Sequence, residues 1–277
     1  MYKPKTEQLS MSTVILPASK SYQQRFDGTR RLYGMSKLEI LRQSHVCVIG
    51  IGGVGSWAVE ALARSGVGAL TLIDMDDICV TNINRQIHAM SGTIGQSKIA
   101  VMSDRVRLIN PDCSVQLIDD FISEENISEY ITKEFDYVLD AIDSLKPKTA
   151  LIAYCKRNKI KIITVGGTGG QLDPTQIQVA DLTKTIQDPL AAKLRNKLRR
   201  FHNFTKIPGR TFGVDCVFST ERLKYLQPDG SVCEIKVPVE GYKRMNCNSG
   251  FGTAAMVTAT FGFIAVSRIM IKLIMQK

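Results

Sequence analysis

Three glycines at 50, 52 and 55, in Gly50-Ile51-Gly52-Gly53-Val54-Gly55, stand between a β-branched run at 46–49 and a segment of helical spacing at 56–65. Glycine at these spacings permits a tight turn, close approach of backbone to phosphate, and packing of the next helix on the strand. Amide groups at that helix's N-terminus would then face anionic oxygens. Asp74, at the end of the following apolar run, is placed to meet a nucleotide's ribose. The plain alternative is a glycine-rich turn without a ligand. The loop by itself does not separate NAD from ATP. Arg85, in Asn82-Ile83-Asn84-Arg85-Gln86, and Lys98, in Gly95-Gln96-Ser97-Lys98, bear on that choice. Hydride transfer needs no such pair of cations. Cleavage between the α- and β-phosphates does, because the negative charge that develops there is stabilised by preorganised cations. Asp143, in Asp140-Ala141-Ile142-Asp143, offers oxygen ligands for Mg²⁺. Taken singly, Arg85 and Lys98 read as solvated surface charges and Asp143 as a helix N-cap.

The elements that must position these residues alternate along the chain. Strands are predicted at 46–49, 69–73, 115–118, 137–140 and 161–165, and helices at 56–65, 98–109 and 149–158. Alternation of this kind implies an α/β fold, a Rossmann-like, doubly wound, mostly parallel sheet. Its ligand crevice should lie outside the carboxyl ends of the strands. After the glycine turn at 166–170 the texture changes. An edge strand at 176–181, a basic stretch at 193–206 and a further strand at 213–219 suggest a C-terminal substrate-binding extension with additional antiparallel strands. The predicted organisation is a tail at 1–20, an ATP-binding domain at 21–170, and an extension with a terminal helix at 171–277, continuous with the first domain. Residues 227–248, with Pro, Gly and mixed charge, read as a mobile loop.

The 277 residues carry a net charge of +10 that is unevenly spread. Residues 1–180 hold 20 Lys and Arg against 19 Asp and Glu, whereas residues 181–277 hold 16 against 7. A one-sided positive field serves polyanions such as nucleic acid or anionic lipid. Within 193–206 there are six basic residues (Lys193, Arg195, Lys197, Arg199, Arg200 and Lys206) and no acid. Phe201, His202 and Phe204 could stack on bases, although aromatics packed inward on a solvated helix are the commoner outcome. The seven cysteines are scattered and include no CxxC pair, which argues against a disulfide framework and a thiolate zinc site and fits a cytoplasmic protein. Cys216 and Cys233 lie in the candidate substrate region, where a sulfur-relay or covalent role is open, but buried inert thiols are the commoner outcome. His45, His88 and His202 show no metal spacing and are assigned no role. Residues 245–267 are uncharged and long enough to span a bilayer, but their polar content favours a helix buried against the sheet or a dimer interface. Peripheral membrane contact through Arg268, Lys272 and Lys277 is the minor alternative.

The glycine loop, Asp74-x-Asp76, Asn82-x-x-Arg85-Gln86, Gly95-x-x-Lys98 and Asp140-Ala141-x-Asp143 together resemble the ubiquitin-activating-enzyme-like (ThiF-MoeB) superfamily, whose bacterial members adenylate sulfur-carrier proteins. The resemblance implies that Gly50, Gly52, Gly53 and Gly55 cradle ATP, with Asp74 and Asp76 near its ribose and metal. It implies that Asn82, Arg85 and Lys98 hold the triphosphate and that Asp143 binds Mg²⁺. It also implies a homodimer in which an N-terminal arginine enters the partner's site. Arg25-Phe26 and Arg31 are similar to that motif, with Arg31 favoured. The segments Gly166–Pro174, Asp188-Pro189-Leu190 with Lys197–Arg200, and Gly252–Gly262 further resemble one branch, the tRNA threonylcarbamoyladenosine dehydratases, or cyclic threonylcarbamoyladenosine synthases. That branch implies a ligase-type reaction on tRNA: adenylation of a carboxylate, then ring closure with release of AMP. It implies substrate contacts from Lys193, Arg195, Lys197, Arg199 and Arg200, room for a monovalent cation, no zinc, and a cysteine desulfurase with its sulfur acceptor as partners. The rival readings are an adenylyltransferase for a Gly-Gly-ending sulfur carrier, an NAD-dependent oxidoreductase, and a non-catalytic RNA-binding module.

Overall fold

The computed structural model describes residues 18–235 and 251–275. Most of the expected tail, the end of the loop expected at 227–248, the start of the uncharged run, Cys247 and Lys277 lie outside the described residues.

Short β-branched runs form the sheet. They are β1 (His45–Ile49), β2 (Ala69–Ile73), β3 (Ser114–Ile118), β4 (Tyr137–Asp140), β5 (Ile162–Val165), β6 (Ile177–Asp181) and β7 (Asp215–Ser219). They pair in the order β3-β2-β1-β4-β5-β7-β6, and all pairings are parallel except that of β6 with β7. The order reverses between β1 and β4, which opens a crevice above their carboxyl ends. Gly50 follows β1 on one side of that crevice and Ala141 follows β4 on the other. A second, two-stranded sheet joins β8 (Tyr225–Leu226) to β9 (Val232–Cys233), antiparallel.

Helices cover both faces. The first three, α1 (Lys20–Arg25), α2 (Asp27–Tyr33) and α3 (Met35–Gln43), precede β1. The crossovers are α4 (Gly55–Arg64), α5 (Lys98–Ile109), α6 (Ile127–Tyr130) and α7 (Leu145–Arg157), and α8 (Pro189–Phe201) links β6 to β7. The helix expected at 149–158 starts one turn earlier, at Leu145. Pro147 lies in that first turn, where a missing N–H costs no internal bond. The last helix, α9 (Ala255–Ile274), packs on α4, with Val257, Phe261, Ala265 and Ile269 buried beside Ala58 and Leu62. A Cβ on Gly262 would stand 2.8 Å from the Val54 carbonyl, so glycine there sets the helix spacing. Arg268 donates to Asp215 Oδ2 at 2.7 Å, and Lys272 lies 3.8 Å from the same oxygen. From Ala255 onward the uncharged run is therefore a core helix against the sheet, and two of the cations assigned to a membrane in the minor alternative are directed at a carboxylate on β7.

Candidate functional site

The glycine loop is held by side chains from two other segments. Gly50 adopts φ +85°, and a Cβ on it would meet the Ala141 carbonyl at 2.9 Å. Gly55 begins α4 so close to the turn that a Cβ would stand 1.9 Å from the Gly50 carbonyl. Neither position admits a side chain. Gly52 is different: a Cβ there would approach only Gln86 Nε2, at 3.8 Å, so its face of the loop is open.

Asp74, at the end of β2, is buried and grips this turn. Its Oδ2 accepts the Ile51 N–H at 2.6 Å and its Oδ1 accepts the Asp76 N–H at 2.9 Å. Burial pushes the Asp74 carboxyl up, against the pull of Lys98 and of those two amides. Asp76 in turn accepts the Lys98 ammonium at 2.7 Å. Lys98 opens α5 and is mostly enclosed, so its charge is presented at a fixed point. Asn82, also buried, accepts the Cys79 N–H at 3.0 Å through Oδ1. That bond shapes the turn that displays Arg85, whose guanidinium donates to the Thr81 carbonyl at 2.8 Å. The Arg85 carbonyl accepts the Trp57 indole N–H at 3.0 Å, which ties the arginine's backbone to α4.

Across the crevice, Asp140 and Lys148 form a buried pair at 3.0 Å. Asp140 also accepts from Thr164 Oγ1 at 2.6 Å, and Lys148 donates to the Ile142 carbonyl at 2.8 Å. Asp143 follows on this braced loop, exposed, with no hydrogen-bond partner for its carboxylate among the described residues. The structure thus brings the glycine loop, Asp74, Asp76, Lys98, Arg85 and Asp143 to the carboxyl ends of β1, β2 and β4.

Arg31 and Arg25 lie elsewhere. Arg25 donates to the Leu108 and Ile109 carbonyls, both at 3.3 Å, capping the C-terminal end of α5. The Tyr22 hydroxyl donates to the Gly66 carbonyl at 2.5 Å, just beyond the C-terminus of α4. The first helix is therefore docked at the end of α4 and α5 opposite the glycine loop. Arg31 is 75% exposed and pairs with Asp27 at 2.7 Å.

The basic stretch divides by helix face. Ala191, Leu194 and Leu198 face the core, which turns Lys193 and Arg200 to solvent and leaves Lys197 half-buried. Arg195 points back: it donates to the Thr185 hydroxyl and, at 3.1 Å, to the Thr185 carbonyl, and burial lowers its affinity for a proton. Arg199 lies over the Phe212 ring at 5.4 Å. Phe204 packs edge-on against Phe212 at 4.9 Å between centroids, while Phe201 remains exposed. Cys216 is fully buried and its thiol is pushed up by burial.

Asp188 caps α8 through the Ala191 N–H at 2.9 Å and accepts the Gly167 N–H at 2.9 Å. It lines a cleft of about 570 Å³ with Pro189, Arg195, Arg222, Tyr225 and Glu234. This cleft lies beside α8 rather than over the glycine loop, next to the glycine turn that follows β5.

Two buried residues near the loop carried no sequence signal of their own. Lys148 is one of several lysines in a helical segment. His88 shows no metal spacing, yet its Nε2 lies 2.8 Å from the Ile51 carbonyl. Its position two residues after Gln86, inside the segment expected to hold the triphosphate, is the available clue.

A family model described as the ThiF family matches residues 27–277. The tRNA threonylcarbamoyladenosine dehydratase of Escherichia coli (strain K12) is 59% identical over 95% of this chain and 97% of its own. A crystal structure of the E. coli dehydratase in complex with ATP, 53% identical, covers 94% of this chain and 98% of its own with a TM-score of 0.84. One in complex with AMP, also 53% identical, covers 95% and 99% with a TM-score of 0.83.

Proposed function

This chain belongs to the ThiF family and, within it, to the tRNA threonylcarbamoyladenosine dehydratases; on that premise we propose that it uses ATP to activate and cyclise the threonylcarbamoyl group of a tRNA adenosine. The observation that carries the reading is the convergence of an open glycine loop with Arg85 and Lys98 at the switch point of the sheet. The relative's complexes with ATP and AMP support the same nucleotide chemistry.

In the first step a carboxylate oxygen of the threonylcarbamoyl group attacks the α-phosphorus of ATP, and pyrophosphate leaves. Arg85 and Lys98 meet the charge that develops, and Asp76 holds Lys98 in place. In the second step a nucleophile within the same side chain attacks the acyl carbon and AMP departs with the former carboxylate oxygen. The nucleoside therefore loses one water overall. Ring closure is intramolecular, so it needs positioning more than a protein nucleophile. The buried Cys216 fits that absence of a role.

Asp143 fits a Mg²⁺ site, because Asp140 is already paired with Lys148 while Asp143 presents a carboxylate beside the loop that has no partner among the described residues. Bound there, Mg²⁺ would neutralise phosphate charge. A homodimer completes the proposal: Arg31 is an exposed N-terminal arginine whose ion pair is to Asp27 of its own helix, and the partner subunit's phosphate loop is its target. The outward cations of α8 are assigned to tRNA phosphates. The remaining partners of the reading are a cysteine desulfurase with its sulfur acceptor, in a cytoplasmic setting.

The test is mass spectrometry of tRNA nucleosides after incubation with protein, ATP and Mg²⁺. Loss of one water mass from threonylcarbamoyladenosine is expected, and its absence despite ATP binding would sink the substrate assignment. Arg85→Ala and Lys98→Ala should each slow the reaction by roughly 10²–10³-fold, the scale for removing one group that stabilises developing charge.

A further inference from the structure

The Ile51–Gly52 peptide carries two groups with opposite fates. Its carbonyl turns into the protein, where the fully buried His88 reaches it with Nε2 at 2.8 Å. Its other end is the Gly52 N–H, which finds no acceptor among the described residues. In a trans peptide the C=O and N–H point in opposite directions, so fixing one fixes the other. Gly52 leaves this plane little steric restraint of its own, because glycine adopts backbone angles that other residues avoid. The neighbouring peptide is fixed separately, by Asp74 on the Ile51 N–H at 2.6 Å.

We infer that His88 is a positioning residue for the phosphate loop, holding the Ile51 carbonyl inward so that the Gly52 N–H faces the nucleotide. The inference rests on the nucleotide reading proposed above. A carbonyl can only accept, so the contact requires a proton on His88 Nε2 and leaves Nδ1 bare. Nδ1 is buried and has no partner among the described residues, which fits the neutral imidazole. Burial lowers the His88 pKa; its bond to Ile51 opposes this, and the charge of Lys98 adds to the lowering. The backbone of His88 is anchored as well: its carbonyl accepts the Thr93 hydroxyl at 2.6 Å. The ring is thereby supported from behind, and the loop is oriented before a nucleotide arrives.

The experiment compares the full-length protein with His88→Gln and His88→Leu. Gln places an amide donor near the Nε2 position, whereas Leu fills comparable space with no donor. ATP affinity, KM for ATP and kcat are measured with thermal melting of each apo protein. Leu should weaken ATP binding about tenfold or more, the scale of one hydrogen bond to a charged group. The rise should appear in KM for ATP more than in kcat, and Gln should restore affinity to within about threefold. Equal losses in both variants, or no loss in His88→Leu, would overturn the role. If His88→Leu does not fold, the Gln variant and ¹⁵N spectra of the wild-type imidazole decide. An Nδ1–H tautomer, or a Gln variant that folds without binding ATP, rejects the inference. A folded wild type that fails to bind ATP instead rejects the nucleotide reading, a distinguishable result.

Discussion

Lys148 Nζ lies 3.0 Å from Asp140 Oδ2, with both side chains sealed from solvent beneath the loop that carries Asp143. A pair buried this fully is costly to break, because removing one partner leaves an uncompensated charge in the interior. Lys148→Met should therefore destabilise the fold by about 3–5 kcal/mol. Denaturant unfolding measures it, and Asp140→Asn combined with Lys148→Met should recover much of the loss. A Lys148→Met protein as stable as wild type would show that the pair is not a structural brace.

The two kinds of glycine in the loop should respond differently to a methyl group. Gly55→Ala drives a Cβ to 1.9 Å from the Gly50 carbonyl, which backbone cannot yield without reshaping the turn. Gly53→Ala meets the Thr258 methyl at 3.3 Å and the Arg85 Cγ at 3.5 Å, and both can shift. ATP titration should show binding lost in the first variant and weakened by only about a fewfold in the second, a change within about 1 kcal/mol.

Lys193 and Arg200 stand on the solvent face of α8, and Arg195 is turned back onto Thr185. Substituting Lys193 and Arg200 by Ala should weaken tRNA binding and flatten its dependence on salt, because fewer counterions are released. Arg195→Ala should instead lower the melting temperature and leave the salt slope nearly unchanged. Electrophoretic mobility shifts at several salt concentrations, beside melting curves, separate the two effects. An unchanged salt slope after removing Lys193 and Arg200 would exclude that face from the RNA contact.

Asp181 accepts the N–H groups of Phe212, Gly213 and Val214 at 3.0, 2.7 and 3.1 Å. Burial pushes its carboxyl up, but the bonds to these amides and to Thr183 win and hold it below the ordinary range. With the folded-state pKa depressed, its stabilising contribution is present above the unfolded value of about 3.9 and disappears as the pH falls through the folded value. Asp181→Asn should flatten the fall of stability below about pH 4. If wild type and variant lose stability in parallel across that range, another carboxylate sets the acid limit.

The positions of the strands and the mostly parallel character of the sheet were legible in the sequence, because β-branched runs bounded by glycine and charge have few other solutions; their lateral order was not. The helix Lys98–Ile109 and the strand Ala69–Ile73 fall at the boundaries expected from the pattern alone. The start of α7 was not legible, because Pro147 looks like a breaker until its place in the first helical turn is known. The motif residues around the glycine loop were also legible, since their chemical types and spacing are unusual together.

Partnership was decided only by the tertiary structure. Sequence spacing shows Arg195 as one of six cations; the fold turns it onto Thr185 and turns Lys193 outward. It shows His88 as an isolated imidazole; the fold brings it, across 37 residues, to the carbonyl of Ile51. The physical reason is common to both. Local sequence sets backbone propensity and the period of burial, whereas the direction of a polar side chain depends on which backbone groups the packed core leaves without partners.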